Sequence, residues 1–271
     1  AIDGRGFMHW VDEVCKAMRA ETLTGSWSTL TDLDVQAQYA AELAPEEPAL
    51  PVSCLPVVEP SPAPYQPLAY IWRRVELPGN QAQLLTKAAA FFGDWIRQRE
   101  AGEVGFTIPV DYRGLRTPEL GMGNLTGYLR LTVPEGASPR ALMKQLLTKI
   151  QAKVDCRTFP NIKTLLWIPV WYMLRQLRPK VDTILYTRTP ALPTGGLVSM
   201  GLIHPSTYSF PGFDVSAFYG IPGAVGKLNM VFVNTPVSTV VSFAAPQQYN
   251  LDGQLDRLLE RFAQQFSQQG G

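Results

Sequence analysis

Beyond residue 180 the chain reads as strand after strand with no helix between them: TILYTR, GLVSMGLI, FDVSAFYG, LNMVFVNT and STVVSFAAP. Each run is short, rich in β-branched or aromatic residues, and bounded by Gly, Pro, Asn or Ser, the pattern of strands closed by turns. Upstream, helical and strand-like segments alternate. A chain that alternates first and then runs strand to strand does not suit a strictly alternating parallel sheet. It predicts an α/β unit with a mixed sheet and flanking helices. The NTPVS break between the last two strands predicts a hairpin turn, and a helix over 255–266 closes the chain.

The earlier elements follow from periodicity. AYIWRRVEL, GFTIPV and LTGYLRLTV read as strands. A helix over 81–99, capped near Asn80, turns Leu85, Ala88, Ala89, Phe92 and Ile96 inward. A second helix opens at Ser138 with Pro139 in its first turn, a favoured cap, and buries Leu142, Leu146 and Ile150. Residues 162–177 form an apolar helical stretch. Residues 5–19 form a helix with Phe7, Val11, Val14 and Met18 on one stripe, Met8 and Cys15 beside it, and His9 on the solvated side near Asp12, Glu13 and Lys16. Between 44 and 67 prolines recur at 45, 48, 51, 56, 60, 62, 64 and 67, which disfavours helix. This predicts an extended strap laid over one domain, with Val52, Leu55, Val57 and Val58 as surface to bury.

Composition removes several function classes. Hydrophobic residues at 46% and charged residues at 17% suit a filled core. A net charge of +1 with scattered Lys and Arg excludes a nucleic-acid partner. Cys15, Cys54 and Cys156 are far apart, with no CxxC pair or Cys/His cluster for a zinc site, so no metal is expected and the compartment reads as cytosolic. The run LLWIPVWYML is too short to span a bilayer and Pro169 interrupts it, so no transmembrane segment is expected.

Walker loops, GxSxG elbows and HExxH helices are missing. The Gly-rich pieces PTGG and YGIPGAVG lack dinucleotide-site spacing and read as turns. His204, at a strand-to-loop exit before Pro205, is a candidate base and equally an ordinary surface histidine.

Three pieces in order carry more: DGRGF before an amphipathic helix, PVDYR at 109–113, and GNLTGYL at 123–129. Together they resemble the condensation-domain-like acyltransferases, the superfamily with the chloramphenicol acetyltransferase fold. Its signature is HHxxxDG. Asp3 and Gly4 match the last two letters, and the second histidine, the family's general base, falls two positions before Ala1. The resemblance implies that residues 1–271 are the C-terminal part of that fold, beginning inside the motif, with the N-terminal part missing and acting as a partner.

It also implies acyl transfer from a coenzyme A or phosphopantetheine-carried thioester to an alcohol or amine, with no bound cofactor and an acyl carrier protein as a further partner. Asp3 takes the structural role of the motif aspartate, with Arg113 as its partner, and Asn124 lies near the substrate tunnel. The alternatives are a non-catalytic carrier-binding or scaffold domain of the same fold, and a lipid-binding protein using the apolar segment.

Overall fold

The computed structural model describes residues 3–25, 28–43, 54–59, 70–121, 123–157, 168–169, 171–172, 175, 193–222, 227–250 and 252–268. Among them, six strands form one sheet: β1 (Tyr70–Pro78), β2 (Gly105–Asp111), β3 (Thr126–Thr132), β4 (Gly195–Leu202), β5 (Asn229–Asn234) and β6 (Ser238–Pro246). Their order is β1-β6-β5-β4-β2-β3. The β1–β6, β5–β6 and β2–β3 pairs are antiparallel, and β2–β4 and β4–β5 are parallel, so the sheet is mixed. Helices α1 (Gly4–Met18), α2 (Asp32–Tyr39), α3 (Leu84–Arg97), α4 (Pro139–Gln151) and α5 (Gln254–Ser267) accompany it.

Period-two alternation divides the sheet's side chains between two layers. On one face Leu77, Phe106, Leu129, Met230, Phe232, Val241 and Phe243 meet α3, α4 and α5 in the main core. Phe92 stacks on Phe262 at 5.6 Å, and Phe243 meets Phe262 edge-on at 5.6 Å. Each such fully buried side chain contributes roughly 1.5–3 kcal/mol. On the other face Val231 and Val233 of β5 meet Met8 of α1 and Ile203, with Met200, Tyr208 and Phe218 around them. A third cluster, Val35, Tyr112, Leu125 and Cys156, seats α2 beyond the end of β2.

Several local expectations hold for visible reasons. Ser138 caps α4 by accepting from the Ala141 N–H at 3.2 Å, with Pro139 at the first helical position. The hairpin between β5 and β6 closes through Thr235, whose N–H donates to the Ser238 carbonyl at 2.7 Å.

Others do not hold. Asn80 does not cap α3, which begins four residues later behind Gln83 in the left-handed region without a side-chain cap. The piece PTGG is not wholly a turn, because Gly195 and Gly196 open β4. A Cβ at Gly195 would stand 2.2 Å from the Leu228 carbonyl oxygen, so the close strand approach requires glycine.

FDVSAFYG is not a strand. Phe213 pairs back onto Phe210 around Gly212 (φ +81°), and Phe218 then packs over β5. The apolar alternation at 213, 215, 217 and 219 does not mark a buried side, since Phe213 and Tyr219 are exposed and the packed Phe218 is out of phase with it. Residues 32–39, unassigned from sequence, form α2 behind a Thr31–Asp34 capping box.

The α1 stripe is reversed. Met8 and Cys15 are buried, while Phe7 (52% exposed), Trp10, Val14 and Met18 (57% exposed) face outward. The TILYTR segment lies outside the described residues, as does nearly all of the 162–177 stretch. Of the 44–67 strap only 54–59 are described: Cys54 bridges to Glu103, and Val57 and Val58 enter the main core. Among the described residues no helix is long and apolar enough to cross a membrane.

Candidate functional site

The parallel strands β2, β4 and β5 end on one side of the sheet, and α1 begins there. Asp3 is the N-cap of α1, in extended backbone (φ −89°, ψ 175°). Its Oδ1 accepts from the Gly6 N–H at 2.6 Å, the usual cap bond. The same carboxylate reaches across to the end of β2 and the start of β3. Oδ2 accepts from the Leu125 N–H at 2.8 Å and from the Thr126 hydroxyl at 2.9 Å.

Arg113 completes the arrangement. Its two terminal nitrogens each donate to one Asp3 oxygen at 3.1 Å, a fork-to-fork pair. The same guanidinium donates to Asp111 Oδ1 at 2.8 Å and to the carbonyls of Gly121 (2.8 Å) and Gly123 (2.6 Å). The Asp3 and Arg113 side chains are 12% and 7% exposed.

Burial pushes the Asp3 carboxyl upward, but the Gly6 and Leu125 N–H bonds and the Arg113 guanidinium outweigh it and hold the group below its ordinary value. With five donors on two oxygens, Asp3 has no lone pair left for a substrate proton. It is a clamp, fixing the chain entering α1 to β2 and β3.

Arg5 extends the network, donating to Asp111 Oδ2 at 3.4 Å and to the Met200 carbonyl at 3.1 Å, so β4 is tied in as well. Neither Asp111, Thr126 nor Arg5 was legible as part of the site. Thr126 and Asp111 are paired across β2–β3, which only strand register reveals. Gly4 has a looser requirement than its motif position suggests. A Cβ there would meet only Met200 Cε, at an ordinary 3.7 Å.

Asn124 lies next to the clamp. Its side-chain amide donates to Asp32 Oδ2 at 3.3 Å, and its carbonyl accepts the Asp32 N–H at 3.0 Å, pinning the start of α2. An open depression of about 560 Å³ beside α2 is lined by Ser28, Thr29, Leu30, Asp34 and Glu119; Asn124 is not among these residues.

His204 is exposed and precedes a short 3-10 turn. None of the hydrogen bonds or ion pairs at Asp3, Asp111 or Arg113 involves it. His9 is not solvated at Nε2, which is buried with no hydrogen-bond partner among the described residues. Donor atoms of His9, Asp12 and Glu13 lie within 4.8 Å of one another. The Lys16 ammonium, however, sits 2.9 Å from Asp12 Oδ2 and from Glu13 Oε1, so a cation is already in place. Lys16 and the Gly25 N–H hold the Glu13 carboxyl down to about 2.

A second buried pair supports the clamp from behind. Arg116 binds Asp155 Oδ1 at 2.7 Å and Oδ2 at 2.9 Å, and the Tyr112 hydroxyl donates to the Asp155 carbonyl at 2.6 Å. Burial, with Asp155 adjacent, pushes the Cys156 thiol up to about 11, which suits a packed thiol and not a nucleophile.

No protein-family model matches the sequence, and no curated protein is significantly similar to it. Solved structures are similar in fold. A double mutant of the starter condensation domain of rhizomide synthetase RzmA, in complex with C8-CoA and Leu-SNAC, superposes with TM-score 0.57 at 17% identity, covering 98% of this chain and 63% of that one. The unmutated RzmA domain gives TM-score 0.52 at 16% identity, covering 98% and 62%. A structure described for condensation domain-mediated chain release from the enacyloxin polyketide synthase gives 0.54 at 10% identity, covering 98% and 55%. The chain thus has a condensation-domain-like fold, and spans less than two thirds of the length of these domains.

Proposed function

We propose that this chain forms part of an acyltransferase that moves an acyl group from a coenzyme A or carrier-protein thioester to an amine or alcohol. The observation that carries this reading is the saturated Asp3 clamp at the entrance to α1. A carboxylate with every acceptor position filled serves to hold its loop, and a loop held this tightly suits a neighbouring catalytic group. By resemblance that group is a histidine two positions before Ala1. As general base it takes the acceptor's proton while the thioester carbonyl becomes an oxyanion, which needs donors in a dry site.

The RzmA domain with bound C8-CoA supports a thioester donor, and the enacyloxin domain supports release of a carried chain. The outward stripe of Phe7, Trp10, Val14 and Met18 suits packing against a preceding segment of the same fold. A carrier protein is the proposed donor's vehicle. Three free buried cysteines fit a reducing compartment such as the cytosol.

The test is thiol release from an acyl-coenzyme A panel with amines and alcohols. It compares the 271 residues alone with the same chain preceded by a segment that places the motif histidine two positions before Ala1. Transfer is expected only with the segment. Activity of the chain alone that survives replacement of both His9 and His204 would overturn the assignment of the base, and loss on replacing His204 alone would move the base there. A folded, extended protein with no transfer and intact carrier binding would favour the scaffold reading.

A further inference from the structure

At the opposite end of the sheet from the Asp3 clamp, where β2 and β5 begin, two buried reactive groups meet. Lys227 is 3% exposed and Cys54 is 5% exposed. The Lys227 ammonium donates to the Cys54 carbonyl at 3.0 Å, and among the described residues that is its one hydrogen bond. The Arg130 guanidinium lies 3.3 Å from Cys54 Sγ. No carboxylate accompanies this pair of cations in the ion pairs among the described residues. Burial pushes the Lys227 ammonium below the ordinary lysine value, with the Cys54 charge opposing it. A desolvated lysine is the setting that favours free amine, and it is held here against the backbone of the one cysteine whose sulfur faces Arg130.

We propose that Cys54 and Lys227 form a covalent sulfur–nitrogen link when the protein meets a peroxide. In the first step Cys54 gives up its proton and its sulfur attacks one peroxide oxygen. The O–O bond breaks, the leaving hydroxide takes that proton and departs as water, and sulfenic acid remains; sulfur is oxidised and peroxide reduced. In the second, the neutral Lys227 amine attacks the sulfenic sulfur. An S–N bond forms, the S–O bond breaks, and the oxygen leaves as water with one proton from the amine. The net change is loss of two hydrogens from the protein. Sulfenic acids condense with nearby nitrogen in this way, and a dry site protects them from other nucleophiles.

The link joins residues 173 positions apart. It fastens the 54–59 segment, already tied by Arg99 to the Pro56 and Val57 carbonyls, to the start of β5. Cys15 and Cys156 have no lysine among their hydrogen-bond partners, so they lack this outcome.

The experiment is peptide mapping by mass spectrometry of the full chain after graded hydrogen peroxide, thiol blocking and digestion. The expected result is a linked peptide pair containing Cys54 and Lys227, two hydrogens lighter than the separate peptides, that returns to free thiol with reductant. Cys54→Ser and Lys227→Met remove it completely. Lys227→Arg, which keeps a buried cation, also removes it and leaves Cys54 at sulfenic or sulfinic acid. Cys54 that stays unmodified in folded protein, or that proceeds to sulfinic acid without linkage while Lys227 is intact, would overturn the proposal.

Discussion

Replacing Arg113 by methionine should be the most damaging single change at the clamp. The guanidinium serves two carboxylates, Asp3 and Asp111, and two carbonyls, those of Gly121 and Gly123. Its side chain is 7% exposed, so water cannot replace what is lost. Breaking such a pair by removing one partner costs about 3–5 kcal/mol, or about three decades in the folding equilibrium at the midpoint of that range.

Asp3→Asn should cost less, about 1–3 kcal/mol. Arg113 then keeps Asp111 at 2.8 Å and both carbonyls. The loss comes from an amide group facing the donors of Gly6, Leu125 and Thr126. Urea unfolding followed by tryptophan fluorescence and circular dichroism reads both values at constant slope. An Arg113→Met protein that loses less than about 1 kcal/mol, the range of exposed pairs, would refute the buried-pair argument. So would an Asp3→Asn protein less stable than Arg113→Met.

Acid should weaken the fold through the same carboxylate. The folded Asp3 value lies below its ordinary 3.8, so its contribution is present above that value and is lost as pH falls through the folded one. The urea midpoint of the wild type should therefore drop more steeply below pH 3.8 than that of Asp3→Asn; equal slopes would remove Asp3 from the linkage. Gly127→Ala should prevent accumulation of folded protein. The new Cβ would stand 2.2 Å from the Tyr112 hydroxyl and 2.4 Å from the Asp155 carbonyl, and overpacking of this kind costs about 1–3 kcal/mol or more. A soluble Gly127→Ala protein with a wild-type melting temperature would contradict it.

The sequence by itself determined what depends on neighbours along the chain. Ser138 and Pro139 mark the start of α4 because a cap is a contact over three residues. Ala88, Ala89, Phe92 and Ile96 mark the buried side of α3 because helical spacing brings them together in any context. The NTPVS turn joins two apolar runs that pair antiparallel. The resemblance carried Asp3 and Arg113, which stand 110 residues apart, and no local rule links them.

Tertiary structure decided the rest. Periodicity showed that α1 has an apolar stripe, but not what covers it; the sheet takes Met8, the 205–208 turn takes Cys15, and Phe7 and Trp10 are left outward. Alternation in FDVSAFYG suggested a strand, but of its aromatic residues Phe218 alone packs into the apolar cluster over β5, while Phe213 and Tyr219 stay exposed. Strand order brings Thr126 opposite Asp111, the first bonded to Asp3 and the second to its partner Arg113. It likewise brings Lys227 to Cys54. Such meetings depend on register between distant segments, which is fixed by packing of the whole sheet and leaves no mark in either segment alone.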